Sequence, residues 1–410
     1  MKKWMSLLLV ATMTMSLLAG CAGSNTESSG STDTAAEAET TDTAEAETTD
    51  TASSGETFKI GGIGPVTGGA AVYGIAVKNA TELAIKEINA AGGMNGYQVE
   101  FNFQDDELDN EKSVNAYNTL KDWGMNILVG TVTSGCAIAV AAETKNDNMF
   151  QITPSGSSVD IINGNDNVFQ VCFTDPNQGI GAAQYIGENG LATKVAVIYD
   201  SSDVYSSGIY TKFAEEAANQ NFEIVAAEAF TADNKTDFSV QLSKAQEAGA
   251  DLVFLPIYYT EASLILAQAN AMGYAPKFFG CDGLDGILGV ENFDASLAEG
   301  VMLLTPFAAD AQDDATKNFV SAYEAAYGET PNQFAADAYD AVYIVKAAIE
   351  KSGATPADGV SGICDKLKGV MTEITYDGLT GSGMSWAADG TVNKAPKAME
   401  IKNGEYSLIQ

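Results

Sequence analysis

Histidine and arginine are absent from this sequence of 410 residues: all 21 basic side chains are lysines, set against 55 carboxylates. Each absence removes a class of chemistry. Without histidine there is no Ser-His-Asp triad, no Cys-His pair and no His-ligated metal. Without arginine there is no arginine finger and no bidentate guanidinium clamp for a phosphate or carboxylate. A formal charge of −34 repels nucleic acid and anionic lipid surfaces, so no nucleic acid partner is expected. Cysteine is scarce. Beyond Cys21 there are Cys136, Cys172, Cys281 and Cys364, whose spacings match no zinc pattern and no Cys-x-x-Cys motif. They are read as paired or as buried free thiols, and no metal or cofactor is expected. What survives is chemistry through carboxylate, lysine, serine or cysteine, or binding without catalysis. The apolar content of 46% is ordinary for a globular chain of about two or three domains.

The N-terminus reads as an export signal over residues 1–20. Lys2 and Lys3 precede an apolar run from Trp4 to Leu18, shorter than the roughly 20 residues of a membrane span. The run closes on Leu18-Ala19-Gly20-Cys21, which resembles the lipobox of bacterial lipoproteins. That resemblance implies a lipidated Cys21; the other reading is an uncleaved anchor with an incidental cysteine. From Ala22 to Glu56 nine acids stand among Ser, Thr, Ala and Gly with no lysine. With nothing large to bury, residues 21–56 are expected to form a disordered, self-repelling tether. From Thr57 onward the chain still carries 46 acids and 19 lysines, a net −27.

After Thr57 β-prone runs alternate with helical spacing. Strands are expected at Phe58–Ile63, Val99–Phe103, Asn126–Val129, Phe150–Thr153 and Val168–Phe173, with helices at Val72–Ala91, around Val114–Leu120 and at Ser134–Lys145. A second series has strands at Lys194–Tyr199, Phe222–Ala227, Asp251–Pro256 and Lys277–Phe279 and helices at Gln178–Glu188, Ser207–Ala218, Asp237–Ala248 and Glu261–Met272. Helices at Asp313–Tyr327, Gln333–Ser352 and Pro356–Leu367 follow, then β-prone stretches at Met371–Tyr376, Met384–Trp386 and Ala398–Ile401. Helices between strands imply right-handed crossovers and parallel sheets, and two such series exceed one core. The expected fold is α/β, with two doubly wound parallel-sheet lobes joined by hinge crossings near Asp175, Thr305 and Gly381. The first lobe takes residues 57–175 and about 306–380; the second takes 176–305 and about 381–410.

Such sheets bind ligands at the carboxyl ends of their strands. Gly62-Ile63-Gly64-Pro65-Val66-Thr67-Gly68 has the wrong glycine spacing and no lysine for a nucleotide loop, and reads as a tight βα turn. Tyr73 behind it either packs or closes a pocket. Gly130 to Gly135, with Ser134, and Thr153 to Ser158, with Ser155 and Ser157, are hydroxyl-rich loops. Ser134 is either a helix cap or part of an anion site in which hydroxyls and free N–H groups converge. In the second series Asp282 is either a turn former or an ammonium ligand. Tyr205 and Tyr258 are either rim aromatics or the walls of an apolar slot.

These residues carry a family resemblance over about Thr57 to Gln410. The chain resembles the type I solute-binding proteins of branched-chain amino acid ABC importers. The matching stretches include Ile60 to Pro65 with Thr67-Gly68, Ile88 to Gly93 with Gly96, Asp105-Asp106 with Asp109, and Ile152-Thr153-Pro154. Asp175 with Gln178-Gly179, Val195 to Asp200, Asp237-Phe238-Ser239, Tyr258 to Ala262 and Ala338 to Ala341 complete the series. The resemblance implies the type I periplasmic binding protein fold and a pocket for a zwitterion. Ser134 would hold the ligand carboxylate, joined by the hydroxyl and N–H of Ser157. The Ser155 carbonyl, Tyr258 and Asp282 would take the ammonium, and Tyr73 and Tyr205 would line the side-chain end. Asp282 stands where several members have glutamate, and Ser155 where alanine is common. Leu108 and Thr133 occupy positions that form a disulfide in some members.

The expected protein is a non-enzymatic monomer, lipid-anchored outside the cytoplasm. It would capture a small amino acid, leucine, isoleucine or valine, between its lobes and deliver it to an inner membrane ABC permease. The alternatives are the same fold binding an amide, aromatic acid or peptide, a sensor receptor, and an exported hydrolase using Ser134 or Cys136.

Overall fold

The structure, a computed structural model, describes residues 55–409. The export signal, Cys21 and all but the last two residues of the acidic tether lie outside the described residues. The first series runs β1 (Phe58–Gly64), α1 (Ala71–Ala90), β2 (Val99–Asp105), α2 (Asn110–Trp123), β3 (Ile127–Val129), α3 (Ser134–Asp147), β4 (Phe150–Thr153), β5 (Val168–Gln170) and α4 (Asp175–Glu188). The second runs β6 (Lys194–Asp200), α5 (Val204–Ala217), β7 (Glu223–Phe230), α6 (Ser239–Glu247), β8 (Leu252–Leu255), α7 (Tyr259–Ala271), β9 (Lys277–Gly280) and β10 (Met302–Thr305). The remainder is α8 (Asp314–Tyr327), α9 (Gln333–Ser352), α10 (Gly359–Met371), β11 (Thr375–Tyr376), β12 (Met384–Ser385), β13 (Lys397–Lys402) and β14 (Glu405–Leu408).

Two main sheets result, one per lobe. The first, in the order β2-β1-β3-β4-β5, is parallel throughout. The second runs β14-β13-β10-β9-β8-β6-β7, parallel from β7 to β10 and antiparallel at β13 and β14. Their strands read as nearly unbroken apolar runs because both faces are covered. On the second sheet Val195 and Val197 face α4 and α5, packing on Ala182, Ile186, Ile209 and Phe213. Ala196 and Ile198 face the other way, onto Leu242, Ile265 and Leu266 of α6 and α7. The first sheet repeats this: Ile60 and Val129 meet Ile88, Val345 and Leu367 on one side, and Ile63 and Leu128 meet Tyr117 and Leu120 on the other. The two-lobed doubly wound fold expected from the sequence is the one observed.

The departures have local causes. The helix expected at Pro356–Leu367 begins at Gly359, after a single turn capped by Thr355 and Asp358, and continues to Met371. That shortens the following β-prone stretch to Thr375–Tyr376. The strand expected to reach Phe173 ends at Gln170. Two strands were not foreseen. One is β10. The other is β14, a half-exposed edge strand paired to β13 through Asn403-Gly404, whose φ values are 55° and 77°. An Asn-Gly pair at positive φ is the strongest short hairpin signal in a sequence, and it makes this end of the sheet antiparallel. All four described cysteines are free and buried.

Candidate functional site

Both parallel sheets share one strand order. Counting from the start of each series, the order is 2-1-3-4-5, with the connections reversing direction between the first and third strands. Ligands bind such sheets at that switch point, beyond the carboxyl ends of the strands. In the first lobe the point lies between β1 and β3, whose following segments carry Tyr73 and Ser134. In the second it lies between β6 and β8, whose following segments carry Tyr205 and Tyr258; Asp282 follows the neighbouring β9.

Tyr73 sits in the first turn of α1, 2% exposed. Its position depends on Gly74, where a Cβ would stand 1.9 Å from the Pro65 carbonyl oxygen; only glycine lets the β1–α1 loop lie so close to the helix. The Tyr73 hydroxyl crosses the cleft, donating to the Gly283 carbonyl at 2.5 Å and accepting from the Tyr259 N–H at 3.3 Å. Its ring meets Tyr258, Tyr259 and Phe334 at centroid distances of 5.6, 4.9 and 4.4 Å. Tyr205 stacks on Tyr258 at 5.0 Å, with the planes 19° apart. The three expected tyrosines therefore form one aromatic wall. Phe334 of α9 belongs to it as well, and nothing in the local sequence marked that residue.

Ser134 is not the helix cap. That place belongs to Thr133, and Ser134 is the first helical residue of α3. Its Oγ accepts from the N–H groups of Ser157 and Ser158, both at 3.2 Å. Two accepted bonds leave its own proton free to donate toward the cavity. Ser155 spends its hydroxyl on the Val132 carbonyl at 2.7 Å, tying the loop after β4 to the loop after β3. Ser157 lies behind the cavity, 1% exposed, with its Oγ unpartnered.

Asp282, 4% exposed, accepts the Tyr205 hydroxyl at 2.6 Å, while its N–H donates to Gln178 Oε1 at 3.2 Å. Burial pushes its carboxyl up to about 7 against the pull of those two partners. Asp175, expected only as a hinge crossing, is a second buried acid: both oxygens lack a partner, and burial with nearby Asp282 raises its carboxyl as well. Gly283 is required beside them, since a Cβ would lie 2.7 Å from both the Ile257 carbonyl and the Tyr205 hydroxyl. Tyr73, Ser134, Ser155, Tyr205, Tyr258 and Asp282 thus line one cavity, with Val132, Thr133, Gly283 and Phe334. It measures about 20 Å³, room for one or two waters at most. A hydroxyl proton and backbone amides lie at its first-lobe end, and a buried carboxylate with aromatic walls at its second-lobe end.

Residues 57–405 match the family model described as periplasmic binding protein. The chain belongs to that family of binding proteins. It is 30% identical over 307 residues to the leucine-, isoleucine-, valine-, threonine- and alanine-binding protein of Pseudomonas aeruginosa, covering 75% of this chain and 81% of that one. Among solved structures it resembles the branched-chain amino acid transporter substrate binding protein LivJ of Streptococcus pneumoniae in complex with isoleucine. The TM-score is 0.78 at 32% identity, over 86% of this chain and 98% of that one. A solute binding protein of an ABC transporter from R. palustris, in complex with benzoate, shares the fold at a TM-score of 0.76 and 21% identity, over 86% of this chain and 95% of that one. That last likeness speaks for the type I two-lobe fold alone.

Proposed function

We propose that this protein is the extracytoplasmic receptor of an ABC importer and that it closes on a small aliphatic amino acid: leucine, isoleucine or valine. The observation that carries the reading is the pairing of opposite chemistries across one cavity. The free proton of Ser134 and the N–H groups at the start of α3 suit a carboxylate in a chain without arginine. The buried Asp282 carboxylate, held by Tyr205, suits an ammonium. The tyrosines and Phe334 supply an apolar wall beside the two. The names of the relatives favour the same ligand class. The protein holds its ligand unchanged and hands it to a permease of the membrane it is tethered to through Cys21, working as a monomer. The lobes rotate about the crossings near Asp175 and Thr305 and a third, expected near Gly381 but drawn between Val392 and Lys397 because Met384, Trp386 and Val392 pack in the first lobe's core.

The test is a calorimetric titration of protein that has been unfolded, dialysed and refolded to remove carried-over ligand. One equivalent of leucine, isoleucine or valine binds the wild type. Ser134→Ala or Asp282→Ala weakens binding by about 1.5–3 kcal/mol, the worth of a charge-assisted hydrogen bond, read as a roughly ten- to 150-fold rise in Kd. Unchanged affinity in both variants would remove this site assignment.

A further inference from the structure

Next to the small cavity lies a much larger one of about 560 Å³, also between the lobes. Thr133 and Tyr258 line both, so the two adjoin across these side chains. Thr133 is 4% exposed and its hydroxyl has no hydrogen-bond partner among the described residues. A buried hydroxyl left single is costly unless something else occupies its bond.

The larger cavity has a mixed wall. Part of it is apolar, with Ile257 and Phe230, 2% and 4% exposed. It also carries five carboxylates, Asp109 and Glu111 from the first lobe and Asp200, Asp203 and Glu261 from the second, with Lys235 as the one base; Asp203 meets the Tyr258 hydroxyl where the two cavities adjoin. Lys235 pairs with Glu261 at 3.2 Å. Among the described residues no lysine pairs with the other four. Asp109, Asp200 and Asp203 accept bonds from local backbone N–H groups, which fixes their positions without cancelling their charge. A concave, partly desolvated surface of one sign concentrates ions of the other.

Resting on the amino acid reading of the small cavity, we propose that the larger one is a subsite for the distal end of the ligand and that the receptor accepts amino acids with a long, positively charged side chain. Lysine, ornithine and arginine carry an apolar stem of several methylenes ending in a cation. Each part finds partners of its own kind in the two cavities: α-carboxylate and ammonium at Ser134 and Asp282, stem past Tyr258 and Ile257, cation among carboxylates contributed by both lobes. Thr133 stands where the side chain would turn from one cavity into the other.

The experiment titrates the full-length refolded protein with L-leucine, L-lysine and Nε-acetyl-L-lysine, the last having the same stem with its charge removed. The wild type and the double variant Asp109→Asn with Glu111→Gln are compared; asparagine keeps the cap on α2. Lysine binds the wild type at least tenfold more tightly than its acetylated form. The double variant loses at least fivefold in lysine affinity, and its leucine affinity stays within twofold. Leucine binding without lysine binding would overturn the subsite and leave the amino acid reading standing. Lysine binding no better than the acetylated form, or equally in the double variant, would also overturn it. Binding of neither amino acid would overturn both readings. Lysine binding without leucine binding would uphold the subsite and the zwitterion site while removing the aliphatic preference.

Discussion

Asp282 holds the most consequential position at the scale of single residues. Its carboxyl lies well above the ordinary carboxylate range because burial disfavours its charge. The sign follows from linkage. The folded, unliganded protein binds this proton more tightly than the unfolded chain does, so Asp282 costs stability as pH rises from about 4 to 7. A bound ammonium favours the ionised form, so ligand binding must expel the proton at low pH. Amino acid affinity is therefore expected to fall as pH drops from 8 to 6, by at most tenfold per pH unit, with the slope flattened in Asp282→Asn; titrations at several pH values read this directly. A flat profile in the wild type would mean that Asp282 does not meet the ammonium. Single residues were legible where a strand end placed them: Tyr73, Ser134, Ser155, Tyr205, Tyr258 and Asp282 converge on one cavity. Phe334 was not, because it arrives on α9, far along the chain, and an aromatic on a helix face reads as ordinary core.

At the scale of elements, one buried ion pair joins pieces that the sequence keeps far apart. Lys394 Nζ, almost wholly buried, bonds Asp337 of α9 at 2.5 Å, the Thr380 hydroxyl at 2.5 Å and the Val171 carbonyl at 2.9 Å. It thereby pins together the segment after β5, the start of α9, the connection between β11 and β12, and the segment after β12. Removing one partner of such a pair leaves an uncompensated charge and costs about 3–5 kcal/mol. Lys394→Met is expected to lower the denaturant midpoint accordingly, and Lys394→Met with Asp337→Leu to recover part of the loss. A single variant as stable as the wild type would contradict this account of the junction. The pair was invisible in the sequence because a lone lysine in a polar stretch reads as surface. The β14 hairpin was legible in principle from Asn403-Gly404 and the alternation of Glu405-Tyr406-Ser407-Leu408 after it, yet a run of four residues is the shortest that reads as a strand.

The whole molecule brings the carboxyl ends of two sheets with the same strand order to one cleft. Bonds from the first lobe to the second close it: Tyr73 to Gly283, the Val72 N–H to the Tyr259 hydroxyl, and the Thr260 hydroxyl to the Gly69 carbonyl. At this scale the fold was largely legible, since alternating apolar runs and helical spacing dictate doubly wound layers. The width and charge of the cleft were not, because they depend on how the lobes meet. The central claim is that this cleft binds a free amino acid through its zwitterionic head. Thermal unfolding of the refolded protein across all the amino acids tests it most directly. A ligand at about 100 times its Kd adds about 2.7 kcal/mol, enough to raise the midpoint by a few degrees. The account predicts such a rise with α-amino acids, and none with the same side chains lacking either the carboxylate or the ammonium. A midpoint unmoved by every amino acid would contradict it.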